Sequence, residues 1–597
     1  MPKLDVSELN IIASVLGEYE NKPRDEGLIV SNLYAGAFTM IFGLVAVNIK
    51  SKWYLGEALP AVAMGIILGP IAAKVLDSQQ WVNTTIIRQD DITLGVMRVM
   101  IGIQLVIAGY QLPARYLQHR SREMLVCLLP VMTLMWLSTS ACVLATIPHL
   151  GLYATLIIGA CVTSTDPILS QAVAKGPFAE KFVARPLREI VSAEAGANDG
   201  FASPFLGLAI DLLLQAQSHS LGSSASAQEK SIMKALVVWV VETLLYTVLL
   251  AIVYGAVAGF CARKAVGLSL SRKWIDSEGY LLFPCALGVS CRLPTFAQPP
   301  IPPLEEGGIL LIFLIHRLQL FVLGTCGAIG TSDLLACFVA GCALNWDGRF
   351  LAETKRRHDE VNSCIDVLLN FAGFMYIGVT VPWQSFDQAA TTGITWPRLV
   401  ALGVLVLVFR RIPALLVCYR MMPDVVRGWK EAVFMGYFGP IGVGAIYYLE
   451  HTTILLLGVT DLSSSGRALL NAMGPIVYFL ALFSIVVHGL SIPILNCIYH
   501  FCGVRPVTDD AEPIRRRSVH VATPNNALPG GEDTFIAFNR FTRPNYEAET
   551  LPTVEPRRTQ EEPKPQFASV VFEASGEKDE KGTPQKPKGC VITCNEV

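Results

Sequence analysis

The sequence predicts an all-α polytopic membrane protein with about thirteen transmembrane helices, arranged as an inverted repeat. Three observations carry that prediction. Hydrophobic residues make up 52% of the chain and charged residues only 16%. The apolar residues gather in blocks that approach or exceed the roughly 20 residues a helix needs to cross a bilayer core. Loops between the blocks alternate in Lys and Arg content, as loops on opposite faces of a membrane do.

Taken in order, the blocks fall at 36–47, 57–75, 94–112, 124–146, 152–174, 189–214 and 233–261, then at 280–330, 333–346, 366–382, 399–418, 431–457 and 468–500. The first loop, "IKSKW", is basic, the third holds Arg115, Arg120 and Arg122, the fifth Lys175, Lys181, Arg185 and Arg188, and the seventh Arg263, Lys264, Arg272 and Lys273. The even loops are poor in basic residues, so the odd loops are expected on the cytoplasmic side and the N-terminus outside. Counting 280–330 as a single span keeps the later basic loops, with Arg349 and Arg427, inside as well. The net charge of -2 says little beside this local asymmetry. The fifteen cysteines show no metal-ligand spacing and read as small packing residues. No signal peptide is evident in "MPKLDVSELN".

Residues 1–502 are therefore read as the transmembrane domain. Beyond it the chain turns to Pro, Glu, Lys, Arg and Thr, and 503–597 is expected to be a disordered cytoplasmic tail. Two segments inside the domain are anomalous. Deleting 18–35 joins "LNIIASVLG" to "GAFTMIFGLVAV", and deleting 289–319 joins "YLLFPCALG" to "LFVLGTCGAIG", each making one good helix. Both follow a Gly and open on residues that a GTGAGT splice donor can encode, so they read as retained introns, with family-specific insertions as the alternative. Finding both segments in the major transcript would sink the intron reading.

Charged groups at a helix centre cost roughly 2.5–3.5 kcal/mol even on lenient scales and mark functional sites by default. The first such place is "TSTDP", with Thr165, Asp166 and Pro167 in the fifth span. Proline removes a backbone donor, and with the hydroxyl residues it favours an unwound segment whose free oxygens suit a cation. The second is "SAEAGANDG" (192–200), where Asn198 and Asp199 stand among small residues that allow close helix approach. In a soluble protein Asn-Asp-Gly reads as a turn; here apolar sequence runs on, and a desolvated carboxylate holds either a proton or a metal cation. The third is "GYFGPIGVGAIYY" (436–448), with Gly439, Pro440, Gly442 and Gly444, against the plainer reading of a glycine-rich packing helix. Taking the seventh span as a linker, the breaks occupy the fifth position in each set of six. That is the sequence pointer to a midplane site in an inverted-repeat transporter. Arg410-Arg411 end an apolar run; one is expected to anchor at the membrane face, the other to pair with a helix break or a buried acid.

These motifs, with "FRRIP", "VVHGLSIP" (486–493), "YLGEA" and "IDVLLNFAGFMYIG", resemble the fungal plasma-membrane sodium/proton antiporters of the monovalent cation–proton antiporter superfamily, CPA1 type. The resemblance spans roughly 1–500 apart from the two segments. It implies a homodimer in the plasma membrane, with a dimerisation domain and a six-helix core in which two discontinuous helices cross. It implies Na+/H+ exchange, with K+ or Li+ left open, serving salt tolerance and cation and pH homeostasis. No enzyme activity, cofactor or nucleic acid is implied. By motif, Asp199 is the carboxylate that takes Na+ or a proton in turn and Thr165 a second Na+ ligand. Asp166 neutralises helix ends at the crossover, Asn198 and Arg411 are structural partners, and Glu194 is an accessory acid. The chain departs from the family at Ala195, where Ser is usual, at Gln111 and Ser332, where acids are usual, leaving Asp333, and at Tyr437, where His is frequent. A transport-impaired homologue acting as a sensor or channel is the alternative these changes leave open. An intramembrane aspartyl protease is disfavoured, because neither Asp166 nor Asp199 stands in Gly-x-Gly-Asp or Tyr-Asp.

Overall fold

A computed structural model describes residues 56–74, 76, 89–174, 177–218, 233–274, 321–356, 361–459, 462–504, 512–515, 527–531 and 534–537. The first expected span, most of the eighth, and both anomalous segments lie outside the described residues. Spans two to seven and nine to thirteen have described counterparts.

The helices are α1 (Ala58–Leu68), α2 (Gln89–Gln111), α3 (Ser121–Thr146), α4 (Leu152–Cys161) and α5 (Pro167–Ala174), then α6 (Arg185–Phe201), α7 (Ser203–Ser218) and α8 (Met233–Ser271). After the gap come α9 (Phe321–Ile329), α10 (Asp333–Leu344), α11 (Val361–Thr380), α12 (Trp396–Phe409), α13 (Ile412–Cys418), α14 (Trp429–Tyr437), α15 (Val443–Leu457) and α16 (Ser464–Phe501). Local chemistry explains the interruptions. Pro130 lacks a donor, and the helix around it widens into a π-turn over Cys127–Val131. Pro413 stands at the start of α13, so the span bends at Arg410 and Arg411. Gly330 takes a positive φ of 81°, which lets α9 turn directly into α10.

Two groups of helices pack through small residues. In one, α10 lies between α2 and α8, and α1 lies on α11. A Cβ on Gly255 would meet the Ala336 carbonyl of α10, and one on Gly65 would meet the Met375 carbonyl of α11. These contacts bring backbones together in a setting where apolar burial gives no preference for protein over lipid. The other group is built of six spans, α3, α4–α5, α6–α7, α12–α13, α14–α15 and α16. The seam between the groups is formed where α6 and α15 meet α2 and α10. α8 turns an exposed apolar face outward, including Val237, Val241 and Leu245, the composition expected against lipid.

Within 503–597, the described residues include three short strands, Glu512–Arg515, Ala527–Gly531 and Thr534–Ala537, paired antiparallel with the last in the middle. Apart from these strands and residues 503–504, the expected tail lies outside the described residues. "TFIA" carries β-branched and aromatic types that the tail's average composition hides, and "GGED" before it supplies the turn.

Candidate functional site

The chain leaves the helix after Cys161 and re-enters it at Pro167, so residues 162–166 are unwound. Asp166 is the N-cap of α5: its Oδ1 accepts from the backbone N–H groups of Ile168 (2.8 Å) and Leu169 (2.9 Å). The other oxygen, Oδ2, accepts from Val443 N–H at 2.8 Å, the first residue of α15. One carboxylate thus caps two helices at the positive ends of their dipoles. The Asp166 N–H also donates to the Pro440 carbonyl at 2.8 Å, tying the two breaks backbone to backbone. Gly442 is glycine because a Cβ there would run into Asp166 Oδ2.

A guanidinium serves the opposite poles. Arg410 donates to the carbonyls of Thr163 (2.9 Å) and Ser164 (2.6 Å) beyond α4, and to that of Gly439 (2.6 Å) beyond α14. It therefore sits at two helix C-terminal ends, where a cation is favoured. Arg411 reaches Glu194 Oε2 at 2.6 Å, and both partners are buried. The expectation that one of these arginines anchors at the membrane face is corrected: each is only 3% exposed. The bend at Pro413 makes them the last and first positions around a helix break, and both side chains are held in the interior.

Asn198 locks α6 to the first break. Its amide donates to Thr165 Oγ1 at 2.7 Å and its Oδ1 accepts from Thr165 N–H at 3.1 Å. The next residue differs sharply. Asp199 is 1% exposed, and neither of its carboxylate oxygens has a hydrogen-bond partner of ordinary geometry among the described residues. Its polar neighbour is the Ser164 hydroxyl. A Cβ on Gly444 would collide with Asp199 Oδ1 and lie 3.0 Å from Ser164 Oγ, so glycine opens this space. Tyr448 fixes the backbone, its hydroxyl donating to the Asp199 carbonyl at 2.5 Å. A bare carboxylate in such a place is costly, and a proton or a cation removes the cost.

Asp333 stands elsewhere. It opens α10, accepts from Leu334 N–H at 2.9 Å and is ion-paired with Arg98 of α2. The pair lines a cavity of about 390 Å³ in the seam, with Ser203, Thr243, Thr247 and His451 on its walls. Tyr448 also lines this cavity, so its inner end adjoins the Asp199 backbone. Ser332, in place of the usual acid, donates to the Gly200 carbonyl at 3.2 Å.

The structure brings Thr165, Asp166, Asn198, Asp199, Gly439, Pro440, Gly442, Gly444, Arg410, Arg411 and Glu194 to one crossover and leaves Asp333 in the seam cavity. Sequence reasoning did not single out Ser164, Tyr448 or Arg98. The available signal was a polar group inside an apolar run. Among the described residues no group of three or more His, Cys, Asp or Glu is placed to hold a metal ion. The donors at Asp199 are hard oxygens, which suit an alkali cation better than a transition metal.

Two crossing discontinuous helices, neutralised by an acid and a base and set against an acid with no partner of ordinary geometry among the described residues, are the arrangement that marks the binding site in inverted-repeat membrane carriers. The chain belongs to the sodium/hydrogen exchanger family: the family described as "Sodium/hydrogen exchanger, transmembrane" matches residues 36–295 and 277–496. A probable Na+/H+ antiporter of Schizosaccharomyces pombe is 37% identical over 468 residues, covering 76% of this chain and 54% of the relative. The Na+/H+ antiporter of Saccharomyces cerevisiae is 33% identical over 477 residues, covering 78% and 43%. A second Na+/H+ antiporter of Schizosaccharomyces pombe is 32% identical over 471 residues, covering 78% and 89%. The chain thus spans about half the length of several relatives it matches. A solved structure of the sodium proton antiporter MjNhaP1 from Methanocaldococcus jannaschii matches 79% of this chain and 96% of its own at 14% identity, with a TM-score of 0.48.

Proposed function

We propose that this chain is a secondary antiporter exchanging Na+ for H+, with Asp199 as the group that carries one or the other. The observation that supports it above all is the contrast at the crossover: among the described residues every other charge there has a hydrogen-bond or ion-pair partner of ordinary geometry, and both Asp199 oxygens lack one. With Asp166 and Arg410 cancelling the helix ends, the charge of the site is decided by what Asp199 holds. Na+ would be coordinated by Asp199 with Ser164 and Thr165; a proton binds the same carboxylate and expels it. The six-span group carries the site, and sliding along the seam exposes it to alternate faces. The cavity bearing Arg98 and Asp333 is the access route from one face.

The finer reading is a homodimer in the plasma membrane, with the N-terminus outside and the tail in the cytoplasm, supporting salt tolerance. Li+ and K+ are further candidate substrates. The two family matches overlap at 277–295, beside 289–319, which favours reading that segment as an insertion into one exchanger domain.

The deciding measurement is Na+ flux driven by a pH gradient in proteoliposomes. The wild-type chain is expected to exchange, and Asp199→Asn to reach the membrane and exchange nothing; retained proton-coupled Na+ flux in that variant overturns the assignment. Because a metal ligand must be deprotonated to bind, the KM for Na+ should rise as pH falls, by at most about tenfold per unit. A KM independent of pH would remove the shared carboxylate from the mechanism. Ala195 supports the second reading, an impaired homologue, in that it removes a hydroxyl one turn from Asp199.

A further inference from the structure

The motif "VVHGLSIP" lies on α16, which shows no side-chain contact with Asp199 among the described residues, yet two polar residues of this helix, Ser484 and His488, are buried. Ser484 and His488 are one turn apart and share a face of the helix. They are 4% and 6% exposed. Both are directed at the unwound segment between α14 and α15. The Ile441 N–H donates to Ser484 Oγ at 2.7 Å. His488 Nε2 lies 2.9 Å from the Tyr437 carbonyl and Nδ1 lies 2.8 Å from the Ser484 carbonyl; since a carbonyl only accepts, a neutral ring donates to one of the two and a protonated ring to both. His488 Nδ1 sits 3.0 Å from Ser484 Oγ, which links the two side chains.

An unwound segment at membrane depth has no water to satisfy its backbone and needs a partner for each polar group. The Gly439 carbonyl is taken by Arg410, and the Pro440 carbonyl and Val443 N–H by Asp166. These two also hold the first break. Ser484 and His488 contact the second break alone. They fix its two ends, the carbonyl where α14 stops and the N–H just before α15 begins, and this register sets where Gly442 and Gly444 fall against Asp166 and Asp199.

We propose that Ser484 and His488 are positioning residues for ion exchange: from a helix that never meets the ion, they hold the glycine break and thereby set the cation affinity of Asp199. This rests on the exchanger reading above. The test is Na+-dependent thermal stabilisation of the purified full-length chain, read as the Na+ concentration giving half the maximal shift, alongside KM and maximal rate in proteoliposomes. Ser484→Ala and His488→Ala are each expected to raise the midpoint and the KM by three- to tenfold, the range that one lost hydrogen bond produces. Maximal rate per inserted molecule should stay within about twofold. His488→Gln retains an N–H donor at the same reach and is expected to recover most of the affinity. If both alanine variants insert and keep the wild-type midpoint and KM, the proposal falls; it falls also if Gln behaves as Ala. Should His488→Ala fail to insert, Ser484→Ala decides alone. The exchanger reading fails separately, if wild type and Asp199→Asn show the same Na+ dependence.

Discussion

The two breaks that cross at the centre are built from opposite materials. Residues 162–166 bring hydroxyls and a carboxylate, whereas 438–442 bring glycines, a proline and two apolar side chains. The first can satisfy helix ends itself, through Asp166; the second must be satisfied from elsewhere, by Asp166, Arg410, Ser484 and His488. One break supplies ligands and the other supplies room. The same division separates the two aspartates: Asp166 has three backbone donors on its oxygens, and Asp199 has none.

The strongest way to break that comparison is to remove each charge while keeping its shape. Asp199→Asn and Asp166→Asn are both expected to abolish exchange. Their stabilities should part. Asp199→Asn removes an unpartnered buried charge and should leave the melting temperature unchanged or higher. In Asp166→Asn one oxygen becomes a donor facing another donor, so a helix cap is lost, at about 1–3 kcal/mol. Melting curves in detergent check this. Equal destabilisation in the two variants would mean that Asp199 is a structural acid like its neighbour.

The arginine pair gives the next effect. Removing one member of a buried ion pair strands the other, at about 3–5 kcal/mol. Arg411→Met is therefore expected to lower the amount of folded protein severely, and Arg411→Met with Glu194→Leu to recover much of it. Membrane abundance and melting curves check the cycle. A double variant no better than the single would give Glu194 a second partner that matters more.

How much of this was legible in the sequence follows from what each feature depends on. "TSTDP" and the glycine run announce themselves because polar, proline and glycine residues are out of place in an apolar block, and composition alone records that. The pairing of the breaks follows from span order. The division of labour between Arg410 and Arg411 does not, because it depends on which way each side chain leaves a bend two residues long. Nor does Ser164 stand apart from its neighbours: three hydroxyls in a row are equivalent as letters, and only the fold selects the one beside Asp199. Asp333 stands out only as the acid left beside Ser332 where the family usually has two, and its partner Arg98 lies 235 positions away on another helix. The strands after 512 were hidden by averaging over a polar tail.

A smaller effect is expected on the access side. Arg98 keeps a positive charge in the seam cavity, the proposed access route, where it is ion-paired with Asp333. Asp333→Asn removes one negative charge from this cavity and should raise the KM for Na+ by about fivefold, roughly 1 kcal/mol of lost attraction in a partly solvated space, with little change in maximal rate. Adding Arg98→Gln should bring KM back toward wild type. Flux measured as a function of Na+ on each face separately checks the pair; an effect on both faces alike would move it from the access route into the binding site.

The smallest change tests whether the first break is the sole source of hydroxyls. Ala195 is buried on α6 and stands four residues before Asp199, on the same face of the helix one turn away. A serine there adds one oxygen on the Asp199 side of α6. It has two uses available: bonding back to the Val191 carbonyl four residues earlier, as helical serines do, or turning toward the ion. In the second case Ala195→Ser should lower the KM for Na+ by two- to threefold, and Li+, with its stronger demand for oxygen ligands, should gain more than K+. Competition between the three cations in the same vesicles reads both quantities. An unchanged KM would place the cation wholly against the first break, and the glycine opening at Gly444 would then be the only contribution of any other helix to its shell.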